Sequence, residues 1–205
     1  MLAADGVRPP EQARSRATFD RLLDAAEELL AQAGLDGTSM AQVAARADSS
    51  VGALYTRVPD KAALVRAVQL RVLDRQLAAM AAVAGDERLA AAPLDELVER
   101  FVTAMVAEVR AHAPVVRAFL VQGVRDPVMR ERVVAGLERV TALLAALLRA
   151  RPEVAHPDPD LAADVIVRTT TGALQQAILL DRPFPEQRYA AELSRAARGY
   201  LAAGA

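Results

Sequence analysis

Apolar residues recur along this chain at spacings of three and four. Phe19, Leu22, Leu23, Ala26, Leu29, Leu30 and Ala33 make one stripe, the mark of a helix with a single buried face. That stripe predicts a first helix over about 13–33, ended by Gly34 and Gly37, since glycine reaches the positive φ of a helix stop. Met40, Val43, Ala44 and Ala47 continue the pattern within 38–47, enough for a helix of about eight residues. Thr38 or Ser39 can cap it, because a hydroxyl at that position accepts from an early amide. Asp48-Ser49-Ser50 interrupts the pattern, Ser50 can cap a third short helix over 51–57, and Pro59-Asp60 precedes a long helix over 61–84. Two stubby helices joined by a polar turn cannot bury their own faces. They need the first helix and the start of the fourth as a floor, which makes the pattern a helix-turn-helix in a three-helix head.

Proline punctuates the remainder. Pro93, Pro114, Pro127, Pro159 and Pro185 read as helix starts, where a missing N–H costs nothing. Further helices are predicted over about 94–112, 115–124, 128–150, 160–180 and 186–203. The expected architecture is all-α, with about nine helices. Residues 1–10 are expected to be a disordered arm, 11–60 the helix-turn-helix domain, and 61–205 a second helical domain.

Composition strengthens the all-α reading. The 205 residues include 46 Ala and 26 Leu, both strong helix formers, against 23 Val and only 2 Ile. No Cys is present, which excludes disulfides, thiol nucleophiles and thiolate metal sites. His112 and His156 are the only histidines, far apart and without ligand spacing. No Gly-rich phosphate loop and no nucleophile elbow occurs, so neither catalysis nor a cofactor is expected. Asp158 and Asp160 sit in a Pro-rich stretch and read as helix-start residues. Charges among the first thirty residues rule out a secretory leader, and no run approaches the length of a membrane span. A cytoplasmic protein is expected.

The stretch from Arg16 to Leu64 resembles the DNA-binding region of TetR-family transcriptional regulators. The resemblance is carried by Leu22-Leu23-Asp24-Ala25-Ala26-Glu27-Glu28-Leu29-Leu30, then Ala33-Gly34, Thr38-Ser39-Met40, Val43-Ala44, Ala47, Gly52-Ala53-Leu54-Tyr55 and Pro59-Asp60-Lys61-Ala62-Ala63-Leu64. Asp48 stands where the family usually has Gly; Asp tolerates a left-handed backbone, so the turn is expected to form. Ser49 replaces an apolar residue, Val51 a polar or basic one, and Val58 an aromatic.

The resemblance implies that the third helix enters the major groove of double-stranded DNA. It offers Ser50, Val51, Gly52, Ala53, Tyr55, Thr56 and Arg57. Gly52 permits close backbone approach, Val51 can pack on a thymine methyl, Tyr55 and Thr56 can bond phosphate or a base edge, and Arg57 can bond guanine or phosphate. Residues matching Tyr55 and Lys61 commonly touch the DNA backbone in the family, and Ser39 and Gln42 match positions that reach DNA. Residues 38–66 and 8–21 each carry a net charge of +2, while Asp24, Glu27, Glu28 and Asp36 lie between them. The basic ends are expected to face phosphate and the acidic part solvent.

One such head reads few bases, so a homodimer is expected, with two heads on successive grooves. Residues 160–180 carry little charge beyond Arg168 after Val165, and Gly172 and Ala173 allow close helix approach. That helix is expected to be buried on most sides, one against the core and the other against a partner subunit, with an internal carboxylate, ahead of an anionic ligand, as the partner of Arg168. Tyr189, Leu193, Ala196, Ala197, Tyr200 and Leu201 form a stripe over 186–203. The resemblance implies that these two helices build the dimer interface. It also implies a small-molecule pocket in the C-terminal part, with Phe101, Met105, Phe119, Gln122, Thr141, Thr171 and Gln175 as candidate lining and a largely apolar effector. Core packing is the simpler role for Phe101, Met105 and Phe119, a local backbone bond for the Thr169–Thr171 run, and a helix-end contact for His112.

The function expected is therefore a ligand-responsive repressor, binding a near-palindromic operator as a homodimer and released by a small molecule. The alternative is a helical scaffold protein whose head has lost DNA binding, motivated by Asp48, Ser49 and Val51.

Overall fold

The structure, a computed structural model, describes residues 13–123 and 126–203. The expected arm at 1–10 lies outside the described residues. Among the described residues there are ten α-helices and no strand. They are α1 (Ala13–Ala33), α2 (Met40–Arg46), α3 (Val51–Tyr55), α4 (Lys61–Ala84), α5 (Glu87–Ala91), α6 (Leu94–Ala111), α7 (Ala113–Gly123), α8 (Pro127–Arg149), α9 (Pro159–Leu179) and α10 (Glu186–Ala202).

The chain forms two compact units. One holds the described residues up to Asp74 together with Pro114–Arg130; the other holds Arg75–Ala113 and the described residues from Glu131 on. The division falls within α4 and within α8, so the first unit takes in α7, well beyond residue 60.

In the first unit, the stripe of α1 meets α2, and α2 meets α3. Leu22, Ala26 and Leu30 of α1 share one core with Met40, Val43, Ala44, Ala47, Leu54, Val58 and Leu64. Val115, Phe119 and Met129 complete that core. Each large aliphatic side chain so buried contributes about 1.5–3 kcal/mol. The α3 helix buries only Leu54, its one anchor in that core.

In the second unit, α9 and α10 both pack on α6. The inward face of α6 is Leu97, Val98, Phe101, Val102, Met105 and Val106. Leu144 and Leu148 of α8 and Ile166, Val167 and Leu174 of α9 are buried as well. The helix α5 has no counterpart among the helices expected from the sequence. It forms because Asp86 caps it, accepting from the Arg88 amide at 3.0 Å, and Leu89 is wholly buried. At its other end the Arg151 guanidinium donates to the carbonyls of Leu89 and Ala90, both at 2.8 Å, and to that of Ala92. Asp158 caps α9, accepting from the amides of Asp160 and Leu161. His112 caps the end of α6, with Nδ1 3.0 Å from the Glu108 carbonyl.

Within one chain α9 is buried on one side: Ala162, Ala163, Ile166, Val167, Thr170, Thr171, Leu174, Ala177 and Ile178 face inward. Leu161, Val165, Leu179 and Leu180 are exposed. Arg168 has its carboxylate partner, Asp164, at 2.7 Å one turn earlier, but its side chain is 72% exposed. That bond and the Asp164 charge hold the guanidinium pKa above its usual value.

Candidate nucleic-acid interface

The first functional element is the joint between α1 and α2. Gly34 has φ +67, and its amide closes on the Leu30 carbonyl at 3.0 Å. At Gly37 a side-chain carbon would stand 2.5 Å from the Ala33 carbonyl oxygen, so only glycine fits. Thr38 turns away from α2 and donates to the Gly34 carbonyl at 2.8 Å. Ser39 is therefore the cap. Its Oγ accepts from the Gln42 amide at 3.2 Å, while Gln42 Oε1 accepts from the Ser39 amide at 2.9 Å. This reciprocal box satisfies two helix-end donors. Ser39 Oγ also donates to Gln42 Oε1 at 2.7 Å, so both side chains are held by one another.

The turn between α2 and α3 forms around Asp48, at φ 49. Its amide bonds the Ala45 carbonyl, and the Ser49 amide reaches back to the Ala44 carbonyl at 2.9 Å. That pair of bonds closes a helix in the usual glycine-ended manner, here with aspartate. A second instance ends α9, where Asp181 has φ 53 and the Arg182 amide bonds the Ala177 carbonyl at 2.8 Å.

Ser50 caps α3, its Oγ accepting from the Ala53 amide at 3.1 Å. Leu54 points inward and is fully buried. Val51 is 40% and Tyr55 50% exposed, flanked by exposed Gly52 and Thr56. Thr56 Oγ1 donates to the Ala53 carbonyl at 2.7 Å. Arg57 is half-buried and follows α3 directly; Lys61 is half-buried and opens α4. Asp60 caps α4, accepting from the Ala63 amide at 2.7 Å. Ser50, Val51, Gly52, Tyr55 and Thr56 are thus all exposed, with Val51 and Tyr55 one turn apart.

Of the acidic residues in and just after α1, Asp24, Glu28 and Asp36 are exposed and Glu27 is half-buried. They are also paired: Asp24 and Glu27 both hold Arg71 of α4 at 2.7 Å, and Glu28 holds Arg46 of α2 at 2.7 Å. The acidic stretch thus clamps its two neighbours, and Arg46 has a carboxylate partner within the head.

Sequence reasoning missed one polar junction of the first unit. Asp126 caps α8, accepting at one oxygen from the amides of Val128 (3.0 Å) and Met129 (3.2 Å), and at the other from Arg66 at 3.0 Å. Burial pushes the Asp126 carboxyl up, but the Met129 amide, the Arg66 bond and charge, and the Val128 amide outweigh it and hold the carboxyl below its usual range. Gln69, also buried, donates to the Met129 carbonyl at 3.2 Å. Asp126-Pro127 was legible as a helix start; the Arg66 partner, sixty residues away, was not.

The candidate effector residues are dispersed. Phe119 belongs to the core of the first unit, and the Gln122 side chain lies outside the described residues. Phe101, Met105 and Thr171 are buried in the second unit, where Thr141 and Gln175 are half-buried. None of the other six lines either of two clefts in the second unit. One cleft of about 340 Å³ is lined by Ala81, Ala84, Gly85, Ala90, Leu143, Ala146, Leu147, Ala150 and Arg151. Another of about 240 Å³ is lined by Ala173, Gln176, Ala177, Leu180, Arg182 and Tyr189. No helix among the described residues is long and apolar enough to cross a membrane.

Comparison with known proteins agrees with this arrangement. Residues 22–68 match the family model described as bacterial regulatory proteins, tetR family, and residues 93–201 match the tetracyclin repressor-like C-terminal domain. No curated protein is significantly similar to the chain. Among solved structures, a protein described as a TetR-family transcriptional regulator of Mesorhizobium loti superposes with a TM-score of 0.81 at 19% identity, covering 93% of this chain and 98% of that one. Salmonella enterica GusR gives 0.67 at 24% identity, covering 94% and 99%. The fatty acid degradation regulator FadR of Bacillus halodurans gives 0.69 at 16% identity, covering 89% and 95%. At these identities the solved structures show the shared fold, whereas the two family models together span both the head and most of the second unit. The chain therefore belongs to the TetR family and is a DNA-binding transcriptional regulator, not an enzyme.

Proposed function

We propose that the chain acts as a repressor that binds a near-palindromic operator as a homodimer and is released by a largely apolar small molecule. The observation that carries this reading is the outer face of α3: it is small, exposed and flanked by Tyr55, Arg57 and Lys61. A helix so presented fits the major groove. Tyr55 and Lys61 serve as phosphate contacts and Arg57 as a phosphate or guanine contact, which fix the register of the head. Ser39 and Gln42, exposed at the start of α2, are further candidate contacts, with the Gln42 amide nitrogen as donor.

The exposed side of α9 supports dimerisation. Leu161, Val165, Gly172 and Leu179 recur at helical spacing along it, and α10 adds small exposed residues, Ala191, Ala196 and Gly199. Small and apolar residues on two neighbouring helices suit a self-complementary contact with the same helices of a second copy.

The cleft beside Leu143 and Leu147 supports an apolar effector. Its volume of about 340 Å³ falls at the small end of the range for small-molecule sites, and alanines and leucines form most of its wall. Release requires that the effector favour one state of the dimer over the other.

The test is fluorescence anisotropy with duplexes taken from upstream of the chain's own coding sequence, at low salt. Saturable binding at two subunits per duplex, reversed by the small molecule that native mass spectrometry finds on the protein, is the expected result. Failure to bind any such duplex more tightly than random DNA overturns the reading.

A further inference from the structure

We propose that the head reads thymine through its 5-methyl group, with Val51 as the specificity-determining contact. This rests on α3 entering the major groove, as argued above. Its grounds are the hydrogen-bonding inventory of α3. Ser50 Oγ is turned onto the Ala53 amide at 3.1 Å, and Thr56 Oγ1 onto the Ala53 carbonyl at 2.7 Å. Both hydroxyls flanking the helix are thus directed at its own backbone. Gly52 has no side chain, and a carbon added there would find nothing nearer than Ser50 Oγ at 3.9 Å. Leu54 is wholly buried. What the first turn of α3 presents outward is the isopropyl group of Val51, 40% exposed, beside a bare stretch of backbone.

Such a surface distinguishes bases in one way. In the major groove thymine carries an apolar C5-methyl, whereas cytosine, adenine and guanine turn polar groups outward. An isopropyl group set against an amino or carbonyl edge strips water from it and returns no hydrogen bond. Set against the thymine methyl, it buries apolar surface on both sides. The open backbone at Gly52 lets the two approach. Tyr55, one turn later on the same face, supplies a hydroxyl but does not compete for the methyl position.

The experiment starts with selection of a duplex from a random library by the full chain at low salt. Each thymine of the selected duplex is then replaced singly by deoxyuridine, which keeps every hydrogen-bonding group and removes only the methyl. The expected result is one thymine per half-site whose replacement weakens binding about fourfold, the worth of one buried methyl. Replacing both weakens it about fifteenfold if the half-sites are independent. Val51→Ala, at an exposed position and with two methyl groups fewer, discriminates between the thymine and deoxyuridine duplexes less than the natural chain does. If that variant binds too weakly to measure, cytosine and 5-methylcytosine are compared at the same position with the natural chain. A gain of about fourfold from the methyl supports the proposal, and no gain overturns it. It is also overturned if no thymine is sensitive to replacement, or if the sensitivity is undiminished in Val51→Ala. A library that yields no selected duplex overturns the DNA reading of the head and this proposal together, an outcome distinct from a selected duplex indifferent to uracil.

Discussion

Val51 on α3 and Val165 on α9 are both exposed valines, at 40% and 36%, yet they sit on helices built in opposite ways. The α3 helix has five residues and one buried anchor. Most of its position comes from its neighbours: the Asp48 turn, the Ser50 cap and the floor made by α1 and α4. The α9 helix has 21 residues, nine of them buried, and spans about 30 Å. Its inner face is fixed by its own side chains, and its outer face carries Leu161, Val165, Gly172 and Leu179, interrupted by Arg168, Thr169 and Gln176. A short helix held by others presents a small contact whose value lies in placement. A long self-anchored helix presents area.

The largest test of that contrast falls on α9. Val165→Asp combined with Leu179→Asp places charge on the outer strip without touching the core. Sedimentation is expected to show monomers, with unchanged helical content by circular dichroism. Operator affinity falls by at least about 100-fold, because the second half-site no longer binds as part of one molecule. A dimer that survives both substitutions would place the interface elsewhere.

Removing the single anchor of α3 comes next. Leu54→Ala leaves a cavity worth about 3 kcal/mol, measured by chemical unfolding, and abolishes operator binding because nothing else on α3 holds it in place. An equal truncation at Leu174 of α9 costs a similar amount of stability but leaves α9 seated by eight other buried residues.

Asp126 sharpens the comparison within the first unit. Asp126→Asn keeps a side chain able to cap α8 but removes the charge facing Arg66, at a cost of about 1–2 kcal/mol. The folded carboxyl lies below its usual value of 3.8, so its stabilisation is complete above that value and is lost as the pH falls through the folded pKa. The difference between Asp126→Asn and the natural chain is therefore constant at neutral pH and closes on acidification below 3.8. Unfolding curves from neutral to acidic pH read this directly.

The smallest effect is expected at the turns. Asp48→Gly leaves stability within about 0.5 kcal/mol, and Asp48→Val costs about 1 kcal/mol, because a β-branched side chain resists φ 49. The same pair at Asp181 gives the same order. Thermal melts decide whether the two aspartates are equivalent.

These elements also show what the sequence could and could not disclose. The stripe of α1, the two short helices and the proline starts were legible, because each depends on residues a few positions apart. So was the left-handed Asp48. The choice of Ser39 over Thr38 as cap was open until Thr38 was seen bonding back to Gly34. The α5 helix escaped notice because five residues carry too little periodicity; it is made by Asp86 before it and by Arg151, about sixty residues later. The same holds for Arg71 gripping Asp24 and Glu27, and for Phe119, which periodicity marked as apolar but which joins the core of the first unit. Contacts between distant parts of a chain leave no local pattern.

The solitary lysine at the start of α4 has a practical consequence. Aldehyde fixation captures proteins on chromosomes largely through side-chain amines, and this sequence offers one. Maps of where the regulator sits in a genome, made that way, would depend on whether Lys61 lies against the duplex. Sparse maps would then reflect the chemistry of the fixative, and an ultraviolet or aromatic-directed crosslink aimed at Tyr55 would be the better probe.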